Sequence, residues 1–246
     1  MIEITKKHEM GLRNRSWLQA CHHFSFGDYY DPKRMGFGAL RVWNDDEIAP
    51  NSGFPTHPHD SMEILTYVRS GAITHEDTLG NKGRTIAGDI QVMSAGDGIS
   101  HSEVNLESTP TTLFQIWFEP RSKGGTPWWK SNVFPDDNHG EFKVVATGFE
   151  HEKSLEDAIW MNADANLKAG AFKAGESTLI AADDALFRYI VVDFGDIRVD
   201  DHSIPQGNVT KGSITQGDSV MIPPGSTATL YFNQDSNLVM AETLAS

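Results

Sequence analysis

The sequence is short of cysteine, of positive charge and of long apolar runs. Its 246 residues include one cysteine, Cys21, so no disulfide can form within the chain, which favours a reducing compartment. The formal net charge of −14 disfavours direct binding to nucleic acid or to anionic membranes. No apolar run approaches the length that spans a bilayer, and residues 1–17 lack the apolar core of a signal peptide. These absences predict a soluble cytoplasmic protein.

Helical periodicity is also scarce, and strand signals dominate the chain. Short segments rich in β-branched and aromatic residues and bounded by turn formers predict strands at 37–43, 62–68, 90–94, 112–118, 186–193 and 237–241. The best candidate for a helix is 152–166. Regular short strands separated by glycine and proline turns are typical of a sandwich or barrel, so we expect an all-β protein.

The length fits one large β domain or two domains of about 120 residues each. A polar, proline-bearing stretch at 121–140 interrupts the strand pattern. We interpret it as the connection between two halves, 1–133 and 134–246, and expect Trp128 and Trp129 to pin it to the body of the protein.

Two pairs of residues are candidate metal ligands. In an extended chain, side chains two residues apart point the same way, as do His57 with His59 and His101 with Glu103. Aimed into one barrel, the pairs supply three imidazoles and one carboxylate, which suits a first-row divalent ion and leaves room for water, dioxygen or substrate. A single His-x-His pair is weak evidence, but two pairs among glycine-rich turns are far less expected by chance.

These motifs resemble those of a known superfamily. His57-x-His59-x-x-x-Glu63 followed by Gly98-x-x-His101 resembles the two motifs of the cupins. Further strings resemble the pirin family in particular; they are HHFSFGDYYDP (22–32), MGFGALRVWNDD (35–46), GFPTHPH (53–59), HED (75–77) and SAGDGISHSE (94–103). The resemblance implies a bicupin, which is two β-barrels in tandem with few short helices, and metal in the N-terminal barrel only.

The resemblance also implies the ligand set. In pirins the ligands fall on positions that here are His57, His59, His101 and Glu103. In many other cupins the glutamate of the first motif, here Glu63, is itself a ligand, so two glutamates compete for the fourth place. The pirin resemblance favours Glu103 and leaves Glu63 to orient a histidine. We expect iron(II), although nickel, copper, manganese and zinc accept such ligands.

The C-terminal half keeps the cupin spacing and loses the ligands. From Gly217 onward the sequence follows the second motif, but Ala228 stands where histidine would be. At the spacing of the first motif the ligand positions fall on Ala181, Asp183 and Arg188. Because arginine opposes a cation and alanine cannot ligate, we expect a structural or partner-binding barrel.

The other histidines receive lesser roles. Loop positions are expected for His139, His151 and His202. His22 and His23 are expected to pack or hydrogen-bond near the first barrel. The string His75-Glu76-Asp77 is expected to lie beside the ligands or in a turn, without a catalytic role.

Two functions follow from the resemblance. Pirins are associated with quercetin 2,3-dioxygenase activity, in which dioxygen cleaves a flavonol with release of carbon monoxide. A small aromatic substrate of this kind would be activated by loss of its hydroxyl proton, and Glu103 is the candidate general base. The side chains available to line such a pocket include Phe54, Met93, Phe114 and Trp117.

The alternative function belongs to another class. Pirins also resemble regulatory proteins whose iron state alters binding to a protein partner, so the metal would then be a redox switch. The family resemblance further implies a monomer. Turnover of quercetin by the purified protein would separate the enzyme from the regulator.

Overall fold

The structure, a computed structural model, describes residues 1–133, 140–203, 208–209 and 212–245. Its strands are, in chain order, β1 (Glu3–Thr5), β2 (Gly11–Asn14), β3 (Leu18–His22), β4 (Leu40–Ile48), β5 (Ser52–His59), β6 (Glu63–Ser70), β7 (Ala72–Asp77), β8 (Lys82–Ile86), β9 (Ile90–Ser94), β10 (Ile99–Asn105), β11 (Thr111–Phe118), β12 (Trp128–Asn132), β13 (Lys143–Thr147), β14 (Ile159–Trp160), β15 (Ala165–Phe172), β16 (Ser177–Ile180), β17 (Leu186–Phe194), β18 (Asp196–Asp201), β19 (Asn208–Val209), β20 (Ile214–Thr215), β21 (Ser219–Ile222), β22 (Ala228–Phe232) and β23 (Ser236–Leu244). Two single-turn 3-10 helices, Lys7–Glu9 and Glu150–Glu152, are the helical elements of these residues. No helix among them is long and apolar enough to cross a membrane.

The six strands predicted from the sequence are confirmed as β4, β6, β9, β11, β17 and β23. The predicted helix at 152–166 is wrong. After the 3-10 turn at Glu150–Glu152, the segment forms β14, which pairs in parallel with residues 146 and 147 of β13. Ile159 and Met161 are fully buried there, so tertiary packing overrides the local helical pattern.

Contacts between residues group the chain into two compact units. The N-terminal unit holds Met10–Phe134 and Ala146–Asp164, and the C-terminal unit holds Met1–Glu9, Pro135–Val145 and Ala165–Ser246. The expected boundary after residue 133, with metal in the first half only, stays a prediction. Residue 134 and His139 lie outside the described residues. Within the predicted connection, 128–132 is a strand of the N-terminal unit, where β12 pairs with β9.

Two sheets make up the N-terminal unit. One has the order β12-β9-β6-β11-β4-β3-β2, and the other has the order β5-β10-β7-β8. Leu18, Ile48 and Leu113 from the first sheet pack with Ile73 and Phe54 from the second, so this core lies between the sheets. The alternating burial of β10, with every odd-numbered residue from 99 to 105 buried, follows from one face turned toward that interior.

The C-terminal unit repeats this plan. One sheet has the order β1-β21-β17-β23-β15-β13; in the other, β16-β22-β18-β19 run side by side and β20 also pairs with β18. Ile190, Val220 and Met240 from the first sheet pack with Val199 and Leu230 from the second, which places an apolar core between them. Each unit is therefore an antiparallel double-sheet barrel with its own core.

Candidate metal centre

Three imidazoles meet in the N-terminal unit. His57 and His59 come from β5 and His101 from β10, and the two strands pair so that His101 stands opposite His57. The ring centroids are 4.6 to 5.0 Å apart, and one nitrogen from each ring lies within 4.8 Å of the others. The structure therefore brings together three of the four residues predicted as ligands.

A β-bulge in β5 changes the direction in which the histidine pair of that strand points. His101 is opposite His57, but Glu103 is opposite Phe54, so β5 carries one extra residue between these points. At the bulge, His57 Nδ1 lies 2.7 Å from the carbonyl oxygen of Pro55. A carbonyl only accepts, so Nδ1 must carry the proton, and the lone pair of His57 is on Nε2. The prolines of this segment lie within an edge strand, where a missing ladder donor is tolerated.

A chain of hydrogen bonds sets the tautomer of His101. Nε2 of His75 lies 3.0 Å from Oδ2 of Asp77, and Nδ1 of His75 lies 3.4 Å from Nδ1 of His101. Because the carboxylate accepts from Nε2, His75 offers Nδ1 as an acceptor, and His101 donates to it. The lone pair of His101 is then on Nε2. Both His75 and Asp77 have fully buried side chains, and the His75 ring stacks on Trp129 at 4.9 Å.

The three rings fit a divalent transition metal. Nε2 of His59 and Nε2 of His101 are buried and have no hydrogen-bond partner among the described residues. Burial, followed by the neighbouring imidazoles, lowers the pKa of His59 to about 4 and that of His101 to about 3. Neutral imidazoles with free lone pairs are the form that binds metal, and a buried nitrogen without a partner is costly unless something fills the place.

Glu103 lies in the same cavity but not in the group of three nitrogens. Its Oε1 accepts hydrogen bonds from Thr66 at 2.7 Å and Gln91 at 2.6 Å, and its Oε2 accepts one from Gln115. These donors come from β6, β9 and β11, so three neighbouring strands hold the carboxylate in place. Glu103 as fourth ligand stays a prediction.

Glu63 lies on the opposite face of β6 from the cavity. Ile64 lines the cavity, whereas the Glu63 carboxylate accepts from Ser94 Oγ at 2.6 Å and from the backbone N–H of Asn162 at 3.3 Å. The orienting role considered for Glu63 falls instead to Pro55 and His75, which contact the ligand histidines directly.

Aromatic side chains surround a cavity of about 550 Å³ in front of the imidazoles. Trp117 meets the His59 ring edge-on at 4.9 Å and Phe26 at 5.3 Å, and Trp17 meets Phe54 at 5.1 Å. Phe54 and Trp117 thus line the cavity as the sequence suggested.

The other two residues suggested for the lining pack elsewhere. Met93 packs with Ile64, Ala95 and Ile99, and Phe114 packs beside Trp43 at 5.5 Å. Sequence reasoning missed Asp46, Asn44 and Gln115, which also line the cavity. Asn44 and Asp46 lie two residues apart in β4, beyond the end of the strand predicted at 37–43, so the alternation of side chains was not applied to them.

Other described histidines are outside the group of three, although His22 lines the same cavity. His22 Nδ1 contacts Asn44 Oδ1 at 2.8 Å in the first barrel, which confirms its expected hydrogen bond. His151 and His202 are exposed, as expected for loop residues, and His202 Nε2 lies 2.8 Å from Thr229 Oγ1. Cys21 is buried.

The positions considered as lost ligands in the C-terminal unit have other surroundings. Arg188 Nε donates to Glu242 Oε1 at 2.9 Å, and Lys168 approaches the other oxygen of Glu242 at 2.7 Å. Ala228 is fully buried in β22, and Asp183 accepts from the backbone of Ala185 at an exposed turn. Lys168 and Arg188 balance the charge of the Glu242 carboxylate without a metal cation.

Comparisons with known proteins agree on one family. The sequence model described as Pirin matches residues 4–118. The chain is 54% identical over 200 residues to the Pirin-like protein of Caulobacter vibrioides, covering 81% of this chain and 85% of that one. It is 48% identical over 156 residues to the quercetin 2,3-dioxygenase of Escherichia coli K12, covering 58% and 68%.

A solved structure extends the likeness to the whole chain. The bacterial pirin YhhW of Escherichia coli, in complex with nickel(II), has a TM-score of 0.88 and 33% identity, with all of both chains covered. The two-barrel architecture implied by the sequence resemblance is therefore confirmed. The nickel of that relative and the cluster of three imidazoles here both agree with a single transition metal.

Proposed function

The chain belongs to the pirin family, and on that premise we propose that it is a metal-dependent dioxygenase that cleaves flavonols such as quercetin. The observation that carries the proposal is the convergence of three imidazoles on an aromatic-lined cavity of about 550 Å³. Cavities of roughly 300–1,000 Å³ with apolar walls and a few polar groups suit small-molecule substrates.

The cavity walls favour a flat aromatic substrate. Trp17, Phe26, Phe54 and Trp117 supply ring faces and edges, and aromatic pairs of this kind gain about 0.5–1.5 kcal/mol beyond the burial of their area. These side chains hold the substrate beside the imidazoles and keep bulk water from the reacting ring.

The proposed metal ligands are His57, His59 and His101, with Glu103 as the fourth. Iron(II) is our first choice and nickel(II) the second, since a nickel complex is known for the Escherichia coli relative. When bound, such an ion supplies positive charge that favours loss of a hydroxyl proton and the redox capacity needed for dioxygen. His75 and Pro55 keep two of the imidazoles in the tautomer that offers Nε2.

Glu103 is the proposed general base. A carboxylate has about four lone-pair sites, and three are used by Thr66, Gln91 and Gln115, with two of these on Oε1. One site on Oε2 is left, so the two proposed roles would use it in turn: it would ligate the metal before the flavonol enters and would accept the hydroxyl proton of the flavonol afterwards. The hydrogen bonds from the three strands keep the carboxylate in position for both roles.

The C-terminal barrel is proposed to be structural or to bind a partner. Its Arg188, Lys168 and Glu242 form an internal ion-pair network in place of a metal-binding set. The regulator reading, in which iron oxidation alters binding to a protein partner, is the alternative that absence of turnover would favour.

The test is the consumption of quercetin. Protein loaded with iron(II) or nickel(II) is mixed with quercetin in air, and the flavonol absorbance and released carbon monoxide are followed together. We expect one carbon monoxide for each flavonol lost, no turnover by His101→Ala, and unchanged turnover by His151→Ala, which alters an exposed histidine. Failure to consume quercetin with any first-row divalent ion would overturn the dioxygenase proposal.

A further inference from the structure

Two consecutive aspartates of β4 have opposite surroundings. Asp45 forms a buried ion pair with Arg69. Asp46, which faces the other way, lines the cavity beside the imidazoles and is 1% exposed. Its Oδ1 atom is buried and has no hydrogen-bond partner among the described residues. A buried polar atom without a partner destabilises the protein, so we expect a ligand to supply the partner that the fold itself does not.

Gln115 presents a second such atom to the same cavity. Its amide nitrogen donates to Glu103, and because a carboxylate only accepts, this bond fixes which end of the amide points away. The carbonyl oxygen Oε1 at that end is buried and has no partner among the residues described. Gln115 lines the cavity together with Asp46.

The sheet register makes the two residues neighbours. Asp46 stands directly opposite Leu113 on β11, and Gln115 is two residues farther along the same face. Diagonal neighbours on paired strands lie about 7–8 Å apart at Cα, within reach of a group held between their side chains.

We propose that Asp46 and Gln115 form a subsite that binds a second hydroxyl group of the aromatic substrate, apart from the hydroxyl that faces the imidazoles. A hydroxyl is both donor and acceptor, so it can donate to Gln115 Oε1 and accept from the carboxyl group of Asp46. This inference rests on the proposed function, because it assumes that a hydroxylated aromatic occupies the cavity.

The electrostatics of the subsite suit a neutral ligand. Burial, followed by the nearby carboxylates of Asp45 and Glu103, raises the pKa of Asp46 well above its usual range. A raised pKa favours the protonated carboxyl group, which can donate a hydrogen bond. A cationic ligand would need an ionised Asp46, which the same surroundings disfavour.

The experiment measures binding without turnover. Nickel-loaded protein is titrated under argon with 3-hydroxyflavone, with galangin, which adds hydroxyls to the fused ring, and with quercetin, which also adds them to the pendant ring. Quenching of tryptophan fluorescence reports each dissociation constant, since Trp17 and Trp117 line the cavity. For the wild type, we expect at least one of the more hydroxylated flavonols to bind about ten-fold more tightly than 3-hydroxyflavone.

Variants assign that gain to the subsite. Asp46→Leu should abolish the gain while binding of 3-hydroxyflavone and nickel content stay unchanged. Asp46→Asn, which keeps a donor and an acceptor, should retain most of it. Gln115→Met is a second route to the same loss. Glu47→Gln, at the exposed residue of β4, is the matched control and should behave as the wild type.

The outcomes separate this inference from the proposed function. A gain that survives in both Asp46→Leu and Gln115→Met, no gain in the wild type, or no binding of any of the three flavonols overturns the subsite. A gain that is lost in both variants while the iron-loaded protein fails to consume quercetin in air supports the subsite and overturns the dioxygenase proposal.

Discussion

Nδ1 of His101 lies 3.4 Å from Nδ1 of His75, and this contact ties a candidate metal ligand to the buried carboxylate of Asp77. Sequence alternation alone pairs His101 with Glu103 on β10. The contact with His75 comes from the neighbouring strand β7, where His75 stands opposite Glu103 in the register. The orientation of His101 therefore depends on a strand that carries no ligand.

Removing that acceptor should weaken metal binding. His75→Phe keeps a ring to stack on Trp129 but takes away the atom to which His101 donates. Loss of such an orienting partner typically costs about 10–100-fold in metal affinity. Competition with a chelator for nickel measures the affinity, and His151→Phe, at an exposed position, serves as the control. If His75→Phe binds nickel as tightly as the control, His75 does not orient His101 for metal binding.

Acid should destabilise the metal-free protein through His101. In the unfolded chain an imidazole takes up its proton near pH 6.5, whereas burial lowers the pKa of the folded His101 to about 3. Between these values the unfolded state binds more protons, so stability falls as the pH drops below 6.5.

The expected size follows from the same linkage. At pH 5 this one residue lowers the free energy of unfolding by about 2 kcal/mol relative to pH 8. Urea unfolding of the wild type and of His101→Gln at both pH values measures it. The free energy of unfolding of the wild type minus that of the variant should be lower at pH 5 than at pH 8 by about that amount. A difference that does not change with pH contradicts the burial of a neutral His101.

Gly53→Ala should disturb the site through the backbone. Gly53 stands opposite Val104, and a Cβ at this position would overlap the carbonyl oxygen of Glu103. Strands β5 and β10 must then separate, which moves the histidines they carry. We expect a loss of about 1–3 kcal/mol in stability together with weaker nickel binding.

A second crowded glycine provides the control for Gly53. Gly170 lies in the C-terminal unit, where a Cβ would crowd Glu141 and Phe172. Gly170→Ala should lower the melting temperature but leave nickel affinity unchanged. Equal nickel affinities for the two glycine variants would show that the spacing of β5 and β10 does not matter to the site.

The two glutamates should respond differently to loss of charge. Glu103→Gln should slow quercetin consumption by at least about 100-fold, the usual contribution of a general base. Glu63→Gln should leave both nickel affinity and turnover close to those of the wild type, because Glu63 bonds to Ser94 and the Asn162 backbone on the far face of β6. The reverse pattern would make Glu63 the fourth ligand.

The sequence predicted the parts of this molecule that depend on local pattern. Alternation placed His57 with His59, and His101 with Glu103, because side-chain direction in a strand has a period of two. It could not predict the bulge at Pro55 or the bonds from Thr66, Gln91 and Gln115 to Glu103. Those contacts depend on the register between strands distant in sequence.

The helix predicted at 152–166 was wrong because contacts between distant residues override the local pattern. Residues 152–166 carry a helical pattern, but pairing of β14 with β13 and the burial of Ile159 and Met161 determine the structure of this segment. The role proposed for Asp46 could not be predicted from the sequence either, because it depends on the pairing of β4 with β11 and on the position of the cavity.

Elemental analysis after metal loading shows whether the three imidazoles form a metal site. Metal-free protein is incubated with nickel(II), desalted and analysed alongside a His57→Ala/His101→Ala variant that removes one imidazole from each strand. We expect one nickel per chain in the wild type and less than about a tenth of that in the variant, because the affinity for nickel is lost with the ligands. A wild type that stays metal-free, or a variant that retains its full metal content, would contradict this expectation.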